Sequence, residues 1–334
     1  MIDEAMTERV MELVTTGRRF LVACHRRPDA DAVGSALGFA AVLEAVGKDV
    51  VVYVPDELPL NLRFLACTKI ERSVTGAGFD AVFVMDTAAN ALLPDGLPDV
   101  RPLVIVDHHA AHDDVGDLVV RDVDACATAE VVMDLAERLG VRPVPSEAAT
   151  PLYAAIVADT GGFRYPSTRA RVLRMGAELI DGGAEPWAVA YELFEGWEPA
   201  RMKLLGAVLD TLEMHADGRV AMLRVSRAML DDCEAKDEMV EGLVNYARML
   251  RGVEAAGLVW EFAGTRGLET KVSLRSRGEL DVSRVAADLG GGGHRTAAGA
   301  TLGDTLDETA AKVIAGLVAL VDGPAEAGVG GARL

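Results

Sequence analysis

The sequence predicts an α/β protein in which a parallel-sheet N-terminal domain is joined by a helical linker to a smaller α/β domain. Four short β-branched-rich runs alternate with helical stretches in the first half, and the alternation restarts after residue 216. A length of 334 residues gives room for two domains that each bury a core. The expected boundaries are 1–186 for the first domain, 187–216 for the linker, 217–322 for the second domain and 323–334 for a flexible tail.

The N-terminal stretch MIDEAMTERVMELV is acidic and amphipathic, unlike a signal or transit peptide. RFLVAC (19–24), DVVVYV (49–54), DAVFVMD (80–86) and PLVIVD (102–107) are nearly continuous apolar runs. Strands covered on both faces of a parallel sheet have that composition. DAVGSALGFAAVLEAVG (31–47) has small and apolar residues at helical spacing and stops at Gly47. The segments 127–140, 147–159 and 167–183 also read as helices, so right-handed crossovers are the default connection.

WEPARMKLLGAVLDTLEMH (197–215) looks helical and suits a connector. Beyond it, strands are expected at 219–226, 254–263 and 268–276, with helices at 238–250 and 281–290. A glycine run, a short strand and a last helix at 306–321 complete the chain, and there is no internal repeat.

With 33 Lys+Arg against 52 Asp+Glu, the formal net charge is -19. That balance argues against a long nucleic acid as partner, because such polymers are held mainly by Lys and Arg on phosphates. A short anionic substrate stays open if bound cations or a local basic patch receive it. Cys24, Cys67, Cys126 and Cys233 are far apart and form no CxxC pair, as expected of reduced thiols in a cytoplasmic protein. No apolar run reaches the ~18–20 residues of a membrane span, so no membrane partner is expected.

In an open α/β sheet, ligands bind beyond the carboxyl ends of the strands. His25, Asp29 and Asp31 follow the first predicted strand, Asp86 the third, and Asp107, His108 and His109 the fourth; Asp159 ends a predicted helix. Convergent carboxylates repel unless a cation lies among them. A mixed His/Asp set suits Mn²⁺, Zn²⁺ or Fe²⁺ better than Ca²⁺, and this many ligands serves two metals better than one. Taken alone, Asp31 could simply cap the helix it precedes, and His112 and His215 join no cluster.

A second signal is LGGGGHRTAAG (289–299), where one glycine would suffice to end a helix. Four of them before His294 and Arg295 suggest backbone brought close to an anionic ligand. Arg275 and Arg277 end a predicted strand, where a guanidinium could clamp a phosphate.

HRRPDADAVGSALG, VMDT, VDHH and ADTGGFRY, in that order, resemble the four motifs of the DHH phosphoesterase superfamily, and GGGHRTAAGA resembles the signature of its DHH-associated C-terminal domain. The similarity spans roughly residues 10–322, and the length and motif set look most like the nanoRNase and pAp-phosphatase branch. The resemblance implies two Mn²⁺ ions. His25, Asp29 and Asp86 would hold one, and Asp31, Asp86, His108 and Asp159 the other, with Asp86 shared. It further implies that Asp107 orients an imidazole, that His109 faces the scissile phosphate, and that displacement at phosphorus is in line. Arg275, Gly292, Gly293 and His294 would bind substrate across a cleft.

The implied partners are short RNA oligonucleotides or nucleotide substrates, including 3′-phosphoadenosine-5′-phosphate, with a homodimer as the assembly considered. Linear or cyclic dinucleotides and RecJ-like cleavage of single strands are the alternatives within the family. Outside it, Asp29-Ala-Asp31-Ala-Val33 fits a haloacid-dehalogenase-type DxDxV motif, but there the first Asp should directly end the strand, and VDHH would have no role. A nucleotide-sensing module without turnover is the non-enzymatic alternative.

Overall fold

The structure is a computed structural model that describes residues 4–65, 69–75, 78–110, 113, 115–264, 267–277 and 280–323. Cys67, His112 and all of the predicted flexible tail but Gly323 lie outside the described residues. The chain forms two compact units, Met1–Gly196 and Trp197–Leu334.

The first unit contains α1 (Glu4–Thr16), β1 (Arg19–Cys24), α2 (Ala30–Ala45), β2 (Asp49–Tyr53), β3 (Ile70–Glu71), β4 (Ala81–Met85), β5 (Leu103–Asp107) and β6 (Leu118–Arg121). Four helices follow: α3 (Thr128–Arg138), α4 (Ser146–Asp159), α5 (Ala170–Asp181) and α6 (Pro186–Phe194). The strand order is β3-β2-β1-β4-β5-β6, parallel throughout. Winding reverses between β1 and β4, which opens a crevice at the carboxyl ends of those two strands.

Both faces of this sheet are buried, but differently. Phe20, Val22 and Cys24 of β1 join the core beneath the helices, while Leu21 and Ala23 face a smaller core closed by Phe79, Leu93 and Leu97 from connecting segments. In the larger core Phe83 meets Phe20 and Phe39 edge-on, with ring centroids 5.6 and 5.0 Å apart. Helix α2 is buried along nearly its whole length. A Cβ at Gly34 would stand 2.3 Å from the Pro151 carbonyl, so only glycine lets α2 approach α4 this closely. β3 and β6 are too short, at 2 and 4 residues, to show a periodicity in sequence.

The second unit contains α7 (Pro199–Leu209), β7 (Glu213–His215), β8 (Val220–Val225), α8 (Arg227–Asp232), α9 (Val244–Arg248), β9 (Ala255–Gly264) and β10 (Gly267–Ser276). It ends with α10 (Val282–Asp288), β11 (Gly292–His294), β12 (Ala297–Leu302) and α11 (Leu306–Asp322). Its mixed sheet runs β11-β12-β10-β9-β8-β7, with β8 and β9 the parallel pair. Ala256, Leu258 and Trp260 of β9 pack against α7, α8 and α9, whereas Ala255 and Val259 face α10 and α11.

The stretch expected to act as a connector is divided between the units. Val189 of α6 enters the first unit's core, and Leu204, Leu205 and Val208 of α7 enter the second's, so each helix packs its buried residues against its own unit. The helix expected at 238–250 is a 3-10 turn, Asp237–Val240, followed by α9, and Gly242 interrupts the two. No helix among the described residues is long and apolar enough to cross a membrane. Cys24, Cys126 and Cys233 are buried free thiols, and His215 is half-buried, 3.4 Å from Glu213.

Candidate metal centre

The candidate ligands of the first unit, together with Asp107 and His109, lie at the carboxyl edge of its sheet. His25 follows β1, and Asp29 caps α2 by accepting from the Ala32 N–H at 3.0 Å. Asp29 is therefore the cap, and Asp31, in the first turn, is completely buried. Asp86 directly follows β4 in the left-handed region, φ 59°, while its N–H stays bonded to the Val106 carbonyl at 2.8 Å. A non-glycine residue adopts that conformation at a cost, which is common where a side chain must be aimed for function.

The Asp86 carboxylate stands between two imidazoles. Its Oδ2 is 3.4 Å from His25 Nε2 and its Oδ1 is 3.6 Å from His108 Nε2. His25 Nε2 also faces Asp29 Oδ1 at 3.7 Å, and His108 Nε2 faces Asp31 Oδ2 at 3.7 Å and Asp159 Oδ2 at 3.4 Å. The other ring nitrogen of each is anchored: Nδ1 of His25 donates to the Arg26 carbonyl at 2.8 Å, and Nδ1 of His108 to the Ala125 carbonyl at 3.3 Å. A neutral ring held this way turns a lone pair toward carboxylate oxygens, which is unfavourable without a proton or a cation between them. Metal-ligating histidines are held in the same manner.

The electrostatics agree. Burial, then the Asp86 charge, pushes Asp31 up to about 7. Burial and the carboxylates of Asp31, Asp29 and Asp86 push Asp159 well above the usual range. Burial opposes charge on His25, yet its hydrogen bonds to Asp29 and Asp86 raise it to about 11. Burial also opposes charge on Asp86, but His25, His109 and His108 hold it below the ordinary carboxylate range. Protons are thus shared among groups with more acceptors than donors, and a divalent cation suits that deficit. His25, Asp29 and Asp86 offer ligand atoms within 4.8 Å of one another, as do Asp31, His108 and Asp159, and also Asp86, His108 and His109. Mixed nitrogen and oxygen donors of this kind fit a transition-metal dication.

Asp107 is completely buried at the end of β5, and its Oδ1 accepts from His109 Nδ1 at 2.7 Å. His109 Nδ1 also lies 3.5 Å from Asp86 Oδ1. Burial works against charge on His109, but the Asp107 hydrogen bond and the Asp86 charge raise it to about 9.

Several supporting residues are not evident from sequence reasoning. The N–H groups of Thr128 and Ala129, at the start of α3, donate to Asp31 at 2.6 and 3.1 Å, and the Thr128 hydroxyl donates to Asp86 Oδ1 at 2.9 Å. In the same first turn, buried Glu130 accepts from the Cys126 N–H at 2.8 Å and from Arg169 Nη2 on both oxygens at 2.8 Å. Arg171 adds a contact of 3.3 Å. Glu130 thereby ties the start of α3 to the segment that follows Asp159. The available signal was the run Thr128-Ala129-Glu130 opening a helix, since exposed N–H groups there attract carboxylates.

In the second unit Arg275, Ala297 and His294 share one row across β10, β12 and β11. Arg275 Nη1 donates to the Leu274 carbonyl at 2.9 Å and to Ser273 Oγ at 3.2 Å. The glycine run ends α10 and then forms edge strand β11, where Gly292 pairs with Gly299 and Gly293 with Ala298. A Cβ on Gly293 would lie 2.6 Å from Ala298 Cα, so the close approach it permits is to β12.

Residues 19–156 match the DHH family, N-terminal domain, and residues 217–321 match the DHHA1 domain. The chain is 35% identical over 299 residues to the bifunctional oligoribonuclease and PAP phosphatase NrnA of Thermus thermophilus, covering 88% of this chain and 87% of that one. It is 27% identical over 282 residues to the protein of the same name from Bacillus subtilis, covering 83% and 87%. An exopolyphosphatase-related protein from Bacteroides fragilis has the same fold, with a TM-score of 0.84 at 23% identity over 95% of this chain and 96% of that one.

Proposed function

Because the chain belongs to the DHH family of phosphoester hydrolases, with a DHHA1 domain after the DHH domain, we propose that it cleaves short oligoribonucleotides to 5′-mononucleotides and removes the 3′-phosphate of 3′-phosphoadenosine-5′-phosphate. The observation that carries this is the Asp86 carboxylate between His25 and His108, in a chain similar over 88% of its length to a relative named for both activities.

Two Mn²⁺ ions would suit the donor set: His25, Asp29 and Asp86 would hold one, and Asp31, His108 and Asp159, together with Asp86, the other. When bound, divalent ions supply Lewis-acid stabilisation of the charge that develops on a phosphoryl group in flight. The chain's own residues do the rest. Asp107 fixes the orientation of the His109 ring through Nδ1, and His109, carrying its proton, donates to the phosphate under attack. Thr128 holds Asp31 and Asp86 in place as charge redistributes. Arg275 and the Gly292–His294 strand bind the nucleotide, with the guanidinium as phosphate clamp.

A chain of formal net charge -19 has little general attraction for a long polyanion, so binding energy comes from a few local contacts and saturates early. The buried thiols of Cys24, Cys126 and Cys233 suit a reducing cytoplasm. The test is kcat/KM against chain length for single-stranded RNA in Mn²⁺ at fixed salt. Oligomers of about two to five nucleotides should be cleaved far faster than a ~20-mer. Arg275→Ala should weaken binding of the short substrates with little effect on metal content. A rate that climbs steadily with length would mark a processive exonuclease, and exclusive turnover of cyclic dinucleotides would mark a signalling phosphodiesterase; either overturns the proposal.

A further inference from the structure

We infer that Arg27 is a substrate-binding residue whose guanidinium grips a phosphate of the substrate at the rim of the metal centre. This rests on the phosphoesterase function proposed above and assigns a residue that neither the DHH motif ligands nor the second domain supplies.

The segment from His25 to Asp29 leads from β1 into α2 and closes on itself, with His25 Nε2 3.7 Å from Asp29 Oδ1. Arg27 is its apex, two residues from each. Two extended residues span at most about 7 Å, so the Arg27 Cα stays within that distance of the Cα of both candidate ligands. From there a long side chain can reach a phosphate held between them.

The backbone is costly at this point. Arg27 is left-handed, φ 52°, and immediately precedes Pro28, which favours extended conformations in the residue before it. Glycine or asparagine would occupy such a position more readily. Fixed partners impose the conformation. The Arg27 N–H donates to Asp56 Oδ2 at 2.5 Å, and the Arg26 N–H donates to the Leu92 carbonyl at 2.8 Å. Strain maintained by surrounding structure is characteristic of ligand clamps.

The two adjacent arginines are used differently. Arg26 points its charge at Asp95, 3.2 Å away. Arg27 is exposed, and among the described residues its guanidinium has neither an ion pair nor a hydrogen bond. Charge balance explains the need for it. Asp29, Asp31, Asp86, Asp107 and Asp159 contribute five carboxylates, against four positive charges from two divalent ions and one from a protonated His109. The loaded centre thus has no surplus positive charge, and the negative charge of an arriving phosphate is met by a cation at the rim. A planar guanidinium answers that with paired hydrogen bonds.

Arg27→Asn separates strain from charge, because asparagine tolerates the left-handed region and carries no charge. Four quantities are measured on wild type, Arg27→Asn and Arg27→Lys: thermal midpoint, Mn²⁺ content, calorimetric binding of 5′-AMP, and kinetics on a 5′-phosphorylated diadenylate. Arg27→Asn should melt higher and keep its metal. Its KM and its Kd for 5′-AMP should rise roughly 10- to 100-fold, with kcat within about threefold of wild type. Arg27→Lys should recover part of the binding. An Arg27→Asn protein that binds 5′-AMP as wild type does, or that loses metal together with binding, overturns the inference. So does a wild type that does not bind 5′-AMP. If 5′-AMP binding depends on Arg27 but wild type does not cleave the diadenylate, the inference stands and the substrate proposal falls.

Discussion

Nδ1 of His109 donates to Oδ1 of Asp107 over 2.7 Å, so the second histidine of the adjacent pair is oriented by a buried carboxylate, whereas His108 is anchored by a backbone carbonyl. This difference predicts separable losses. His108→Ala should lower metal content, because its Nε2 faces three carboxylates. His109→Ala should keep its metal and lose mainly kcat, by about 10²–10⁴-fold. Metal analysis of the two purified variants decides the matter, and equal metal loss in both would refute the division of roles.

Asp86 faces both imidazoles with separate oxygens, so Asp86→Ala should reduce bound metal to one equivalent or less and abolish hydrolysis. A chelator should do the same to wild type, with Mn²⁺ restoring activity better than Ca²⁺, whose preferred ligands are all oxygens. Full activity of Asp86→Ala in chelator would rule out metal-assisted cleavage.

Metal binding should release protons. Hydrogen bonds to Asp29 and Asp86, acting against burial, raise His25 to about 11, so the metal-free protein carries that proton across the neutral range. A ligating imidazole must be neutral, so the metal displaces the proton and apparent affinity rises with pH up to that value. Calorimetry near pH ~8 in buffers of different ionisation enthalpy should show about one proton or more released per protein. A titration independent of buffer would contradict the shared-proton description of the centre.

Glu130 links the start of α3 to Arg169 and Arg171, and its replacement should be felt at the metals. Glu130→Ala leaves the Cys126 N–H and the Arg169 guanidinium without their partner, while Arg171 keeps its ion pair with Asp134. Because Arg169 is 44% exposed, the expected stability loss is roughly 2–3 kcal/mol, below that of a fully buried broken pair. Mn²⁺ affinity should fall as well, because Thr128 and Ala129 lose their fixed position on Asp31. Urea unfolding in chelator, paired with Mn²⁺ titration, separates the effects. Lower stability with unchanged metal affinity would make the clamp purely structural.

Much of the fold was legible because the relevant information is local. Runs such as LVIVD have the composition of strands buried on both faces, and the polar residue closing each run then falls at the carboxyl edge of a parallel sheet. His25, Asp86 and Asp107 are placed by that logic alone, and helical periodicity similarly puts Asp159 at the end of α4. Short edge strands β3 and β6 escaped, since 2 and 4 residues are too few for a pattern and their neighbours decide them.

The sequence by itself thus determined which chemical groups reach the edge of the sheet. Only the tertiary structure decided how they face one another. Thr128 meets Asp86 across 42 positions and Asp31 across 97, and Glu130 meets Arg169 across 39. Nothing periodic connects such residues. Their contacts exist because Gly34 lets α2 settle against the Pro151 carbonyl of α4, and because α3 starts where its N–H groups meet the Asp31 carboxylate. Close packing selects one arrangement of helices, and hydrogen bonds among buried polar groups then hold the candidate ligands in place, since leaving such a group unpaired costs about as much as the backbone strain at Asp86.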